Sequence, residues 1–90
     1  MAVVTLTTDF GSGDHEAGVL KGVIWSIAPH AKIADLTHDI PAHNILDAAL
    51  LLRRVVPFFP DGSIHVAVID PGVGTARRAI SARFGTQYFV

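Results

Sequence analysis

Short β-branched runs punctuate this chain, and stretches of helical periodicity lie between them. The first run, Val3–Thr8, is rich in valine and threonine and ends in the turn cluster Asp9-Phe10-Gly11-Ser12-Gly13. Behind it Ala17, Leu20, Ile24 and Ile27 recur at helical spacing, with Val23 widening the stripe. Asp14 stands where an N-cap would accept from the free amides of the first turn, and Pro29 ends the helix. Residues 32–36 predict a second strand, which runs into Thr37-His38-Asp39-Ile40-Pro41. A second helix is expected to begin between Ala42 and Asn44, with Ile45, Ala49, Leu52 and Val56 on one face. Pro57 and the Pro60-Asp61-Gly62 turn stop it. Residues 64–69 are a strongly apolar strand that delivers Asp70, and residues 78–84 and 87–90 read as two strands around the hairpin signal Gly85-Thr86.

This β-α-β-α-β-β-β order predicts an α/β fold: a three-layer α/β/α arrangement with a mainly parallel sheet and right-handed crossovers. Composition sharpens the picture. Half of the 90 residues are apolar and only 17% are charged, against roughly 25% in an ordinary soluble domain. Strands buried on both faces need such a composition, yet a chain this short buries only about 60% of its unfolded surface. The chain closes on the apolar run Gln87-Tyr88-Phe89-Val90, so residues 1–90 are expected to be the N-terminal piece of a longer protein.

A net charge of −1 offers no electrostatic footprint for nucleic acid or an anionic membrane surface. Cysteine is absent, which excludes disulfides and thiolate metal sites. The start lacks the basic residues and long apolar core of a signal peptide, and no apolar run approaches the roughly 18 residues of a membrane span. A cytoplasmic location is the default expectation.

The candidate chemistry lies at the strand ends. Ligands of open α/β sheets bind outside the carboxyl edge, and the predicted strands end there in Thr8-Asp9, Thr37-His38-Asp39 and Asp70. Asp9 is either a ligand group or the shaper of an Asx-turn. Asp14 serves as a cap and stands beside the same edge. His38 and His43 are expected to face the crevice, whereas His15, His30 and His65 need only surface or satisfied core positions.

The loop "VIDPGVGTARR" separates Asp70 from Arg77 by seven residues and two glycines, flexible enough to fold the guanidinium back onto the carboxylate. Such a pair keeps the acid ionised and fixes its direction, in a catalytic site or in a structural ion pair that pins the loop. Gly72-Val73-Gly74 lacks the third glycine of a dinucleotide fingerprint and the lysine of a P-loop. No recognised ligand spacing supports a metal site.

Taken in order, "TTDFGSGD" (residues 7–14), "KGVIWSIAPHAKIADLTHDIPAHNI" (21–45), "FFPDGSIHVAVIDPGVGTARRAI" (58–80) and the closing "YFV" resemble the N-terminal domain of the S-adenosylmethionine hydroxide adenosyltransferases. These adenosine-forming hydrolases are related to the fluorinases and chlorinases. The resemblance implies attack of water on C5′ of S-adenosylmethionine by a catalytic Asp–Arg–His set. Asp70 and Arg77 match the first two members, and the histidine would lie beyond Val90. It also implies that Asp9 binds the ribose hydroxyls and that His43 stands where the fluorinase has a tryptophan. Asp14 would lie in a loop near the ligand. Gly72 and Val73 belong to a substrate loop whose difference from the halogenases favours hydroxide over halide. The stretch His15-Glu16-Ala17-Gly18 departs from the family's usual aromatic-Val-Gly. S-adenosylmethionine is expected as substrate, with no cofactor and no metal, in a homotrimer whose sites lie between subunits. A binding module without turnover and a metal-dependent hydrolase built on Asp9, His38 and Asp70 are the competing expectations.

Overall fold

The structure, a computed structural model, describes residues 3–13, 15–69 and 80–90. Its elements run β1 (Val3–Thr8), α1 (Glu16–Ile27), β2 (Lys32–Thr37), α2 (Ile45–Val55), a 3₁₀ turn (Val56–Phe58), β3 (Ile64–Val68), β4 (Ala82–Phe84) and β5 (Gln87–Phe89). The order is the expected one. They form a five-stranded sheet in the order β2-β1-β3-β5-β4. All neighbours pair in parallel except β4, which runs antiparallel to β5 at one edge.

The chain leaves β1 toward β2, then passes back across β1 to reach β3. Crossovers of one hand that travel in opposite directions put their helices on opposite faces. The side chains agree. Lys21 of α1 reaches Asp35, which pairs with Leu6, whereas the Gln87 amide reaches carbonyls of Val56 and Phe59 after α2. The sheet is therefore the middle of three layers.

Strand alternation gives the two faces different chemistry. Val4 and Leu6 of the α1 face are buried apolar side chains. On the α2 face the buried positions are Thr5, Thr7 and His65. The Thr5 hydroxyl lies 2.7 Å from His65 Nδ1, and His65 Nε2 lies 2.5 Å from Gln87 Oε1. Gln87 Nε2 donates to the carbonyls of Val56 at 3.0 Å and Phe59 at 3.3 Å. Its oxygen must then face the ring, so Nε2 of His65 carries the hydrogen and Nδ1 accepts from Thr5. Phe59 meets the ring edge-on at 5.5 Å, and Phe89 stacks on it at 5.1 Å. His65 is the satisfied core histidine, and a chain of polar groups ties β1, β3, β5 and the end of α2 together.

Several local expectations need correction. The N-cap of α1 is His15, whose side chain makes no capping bond, and Asp14 lies outside the described residues. Ala17, Leu20 and Ile24 are half-buried as expected, but Val23 and Ile27 face solvent, the latter 81% exposed. The inward stripe is thus narrower than the apolar pattern, which continues along Val19, Val23 and Ile27. In α2 the cap is Asn44, whose side chain accepts from Asp47 N at 3.0 Å. The inward positions there are Ala48, Leu51, Leu52 and Val55, whereas Ile45 and Ala49 are exposed. The stripe drawn through Ile45 and Ala49 thus lies about one residue, or roughly 100°, from the inward face, which is the one opposite Arg53 and Arg54.

The hairpin forms as predicted between β4 and β5, although β4 starts at Ala82. Gly85, at φ 60°, takes the first central position, where a two-residue II′ turn requires positive φ. The Gly62 amide donates to Thr86 O at 2.7 Å, and Thr86 Oγ1 donates to Asp61 Oδ1 at 2.7 Å. Between α2 and this hairpin lies an open apolar groove of about 630 Å³, lined by Leu52, Val56, Ala67, Ile80, Phe84 and Phe89 among others. Neither Asp9 nor His43, the described candidate site residues, lines it.

Candidate active site

β1 and β3 are neighbours whose following connections leave in opposite directions, one toward β2 and one toward β5 and β4. Such a divergence opens a crevice at the carboxyl edge, the usual ligand position of an open α/β sheet. Asp9 stands at its mouth. Its amide donates to Val68 O at 3.4 Å, bridging the ends of β1 and β3. Asp70 follows two residues beyond β3 in the sequence. Asp14, Asp70, Gly72, Val73 and Arg77 lie outside the described residues.

The exits of β1 and β2 share one device. Thr8 Oγ1 accepts from Phe10 N at 3.2 Å, and Thr37 Oγ1 accepts from Asp39 N at 3.0 Å. Each is an ST-turn, in which a hydroxyl satisfies the amide two residues on. The two turns then interlock. Gly11 N donates to His38 O at 2.7 Å and Ile40 N to Thr8 O at 3.2 Å. Asp39 accepts from Ser12 N at 3.1 Å through Oδ1 and from the Ser12 hydroxyl through Oδ2. Gly11 turns here at φ 93°, a conformation open to glycine and costly for other residues.

The converging polar groups therefore divide into holders and a candidate ligand. Both oxygens of Asp39 hold the clasp. His38 is also engaged at both nitrogens, with Nδ1 2.7 Å from Thr8 Oγ1 and Nε2 2.7 Å from Asp35 Oδ1. A ring so engaged has no free lone pair for a metal, which weighs against a metal set built on Asp9, His38 and Asp70. Asp9 differs. Oδ2 accepts from His43 N at 3.0 Å, and Oδ1 receives no hydrogen bond among the described residues. His43 sits opposite at φ 63°, a left-handed conformation that costs a non-glycine residue about 1–3 kcal/mol and gathers at ligand clamps. Asp9 and His43, both expected at the site, are thus brought together.

Sequence reading underrated Thr8, Thr37 and Asp35. The repeated Thr at the end of β1 and β2, each two residues before a turn amide, was the available signal. Asp35 lies within β2, and nothing in its spacing pointed to His38 or Lys21.

Asp35 titrates below the ordinary carboxylate range. The hydrogen bond from Lys21 Nζ, at 2.6 Å, holds its carboxyl below the ordinary value of 3.8, with His38 adding to the effect and partial burial opposing it. A folded-state value below the unfolded one adds stability above the unfolded value, and that stability disappears as pH falls through the folded one. The pair is partly exposed, so its contribution at neutral pH is expected to stay below about 1 kcal/mol. Asp35→Asn should therefore cost little at pH 7, and its deficit against the parent should shrink below about pH 4. Urea unfolding of both proteins across that range checks the sign, and a deficit that widens on acidification would refute it.

An open, mainly parallel sheet with polar strand exits clasped at a switch point defines an α/β ligand-binding domain. The sequence profile of the SAM hydroxide adenosyltransferase N-terminal domain matches residues 4–90, and the chain belongs to that family. It is 41% identical over 87 residues to a protein of Salinispora arenicola named (R)-S-adenosyl-L-methionine hydrolase, covering 97% of this chain and 33% of that protein. A protein of the same name from Methanocaldococcus jannaschii is 41% identical over 92 residues, covering 98% and 35%. A fluorinase of an Actinoplanes species is 27% identical over 81 residues, covering 90% and 27%. The fold matches the crystal structure of an uncharacterized conserved protein from Thermotoga maritima with a TM-score of 0.88 at 40% identity, over 97% of this chain and 34% of the other. The chain spans about a third of the length of the curated hydrolases it matches. No helix among the described residues is long and apolar enough to cross a membrane.

Proposed function

We propose that this chain is the N-terminal part of an enzyme that hydrolyses S-adenosyl-L-methionine to adenosine and L-methionine. The observation that carries the reading is its 41% identity, over nearly the whole chain, to proteins named (R)-S-adenosyl-L-methionine hydrolase. The halide-using alternative has weaker support, since the fluorinases match at 27% or less.

In the proposed reaction a water oxygen forms a bond to C5′ while the C5′–S bond breaks and its electron pair returns to sulfur. The leaving group is a neutral thioether, so neither a general acid nor a Lewis acid is required, and no cofactor supplies an atom. The difficulty lies with the weak nucleophile. Asp70 would orient the water and take its proton, and Arg77 would fix the direction of Asp70. Holding the water at about 3–3.5 Å in line with the breaking bond supplies several kcal/mol. Charge diminishes as a hydroxide-like nucleophile meets a sulfonium, so a dry pocket helps. Asp9 would accept from the ribose hydroxyls through its open oxygen, with His43, Asp14, Gly72 and Val73 beside the substrate. The third catalytic residue, a homotrimer with sites between subunits, and a cytoplasmic location complete the reading.

The test is chromatography of S-adenosylmethionine incubated with the full-length gene product, with and without chloride or fluoride. Adenosine released equally in all samples is the expected result. A 5′-halo-5′-deoxyadenosine would assign the chain to the halogenases, and bound but unconverted substrate would make it a binding module.

A further inference from the structure

We infer that Thr8, His38 and Asp35 form a positioning relay that sets the direction of the Asp9 carboxylate, so that affinity for the adenosyl group depends on it. The inference rests on the proposed role of Asp9 toward ribose. None of the three residues is a catalytic residue in that reading.

The relay has a defined sense. Asp35 is an acceptor when ionised, so His38 Nε2, 2.7 Å from Oδ1, carries the hydrogen. His38 Nδ1 then presents a lone pair, and the Thr8 hydroxyl donates to it at 2.7 Å. With its hydrogen directed at the ring, Thr8 Oγ1 is left as the acceptor for Phe10 N. The far end is anchored as well, since the other oxygen of Asp35 receives Lys21 Nζ from α1 at 2.6 Å. Thr8 is fully buried, so water does not compete for its hydroxyl, while the Asp35 end of the relay is partly exposed.

Asp9 is the residue between the two ends of this device. Thr8 before it and Phe10 after it share one hydroxyl, and His43 holds one carboxylate oxygen from across the crevice. The same relay keeps the β2 exit, which leads to His43, against β1. Removing the hydroxyl releases Asp9 on both sides without touching its carboxylate. An interaction with ribose hydroxyls, which take no part in the bond changes at C5′, is expected to be equally strong in ground and transition states, and its loss raises KM while kcat holds.

The experiment uses the full-length protein and adenosine as the binding probe. Thr8→Val keeps the side-chain shape and removes the hydroxyl. It should weaken adenosine binding and raise KM by about 10-fold with kcat within about twofold of the parent, the pattern of lost uniform binding. Thr8→Ser should restore both. His38→Ala should match Thr8→Val, and the double variant should be no worse than either. Unchanged binding in Thr8→Val, or a serine variant as weak as the valine one, would overturn the relay. Amide resonances of Asp9 and His43 supply a readout that needs no ligand. If the parent binds no adenosine but Thr8→Val still moves both resonances, the adenosyl reading falls and the positioning of Asp9 stands. Unmoved resonances would sink the positioning itself.

Discussion

Asp70→Ala in the full-length protein is expected to lower kcat for adenosine release by about 10²–10⁴-fold, the range lost with a positioned general base. Binding of S-adenosylmethionine should persist. The argument starts from topology. β3 ends at Val68 beside β1, its outgoing connection diverges from that of β1, and Asp70 follows two residues later in the sequence. A carboxylate delivered to that edge meets whatever the crevice holds. On the other side one Asp9 oxygen receives no hydrogen bond among the described residues. If Asp9 takes the ribose, C5′ lies one bond beyond the ring. A carboxylate base acting there on water, rather than on the sulfonium, speeds the chemical step, so its loss spares binding. Single-turnover release of adenosine, measured beside equilibrium binding of substrate, separates the two. Equal turnover by parent and variant would leave the family assignment intact and sink the role drawn for Asp70.

The fold was legible because its signals agree at several levels. Proline and glycine marked the boundaries, periodicity told helix from strand, and Gly85 carried the hairpin. The helix faces were harder to read. In α2 the arginines Arg53 and Arg54 mark the solvent side, but large apolar residues such as Ile45 also lie outside the inward face, and the buried residue proved to be Ala48, a side chain too small to signal burial. The candidate site was legible by position but not by role. Asp9, His38 and Asp39 all reach the carboxyl edge, yet only geometry distinguishes an acid that holds Ser12 from one with an oxygen to offer. Hydrogen bonds between residues 30 apart, such as Thr8 to His38, leave no trace in local spacing.

His65 carries the largest expected stability effect among the described residues, because its replacement orphans two partners at once. Its ring is fully buried and accepts from Thr5 while donating to Gln87. Leucine has a similar volume, so His65→Leu leaves little cavity and the cost is mainly polar. Each buried group left without its bond costs about 1–3 kcal/mol, and the Gln87 oxygen and Thr5 hydroxyl together place the loss at about 2–6 kcal/mol. The sharper expectation concerns recovery. Adding Thr5→Val to His65→Leu removes one orphan while preserving shape, and it should return about 1 kcal/mol. Gln87 allows no such repair, because its amide nitrogen also serves the carbonyls of Val56 and Phe59. Urea unfolding of the parent, the single variants and the double variant measures the coupling. Purely additive losses would mean that Thr5 and His65 do not depend on one another, and that apolar packing against Phe59 and Phe89 holds this core instead.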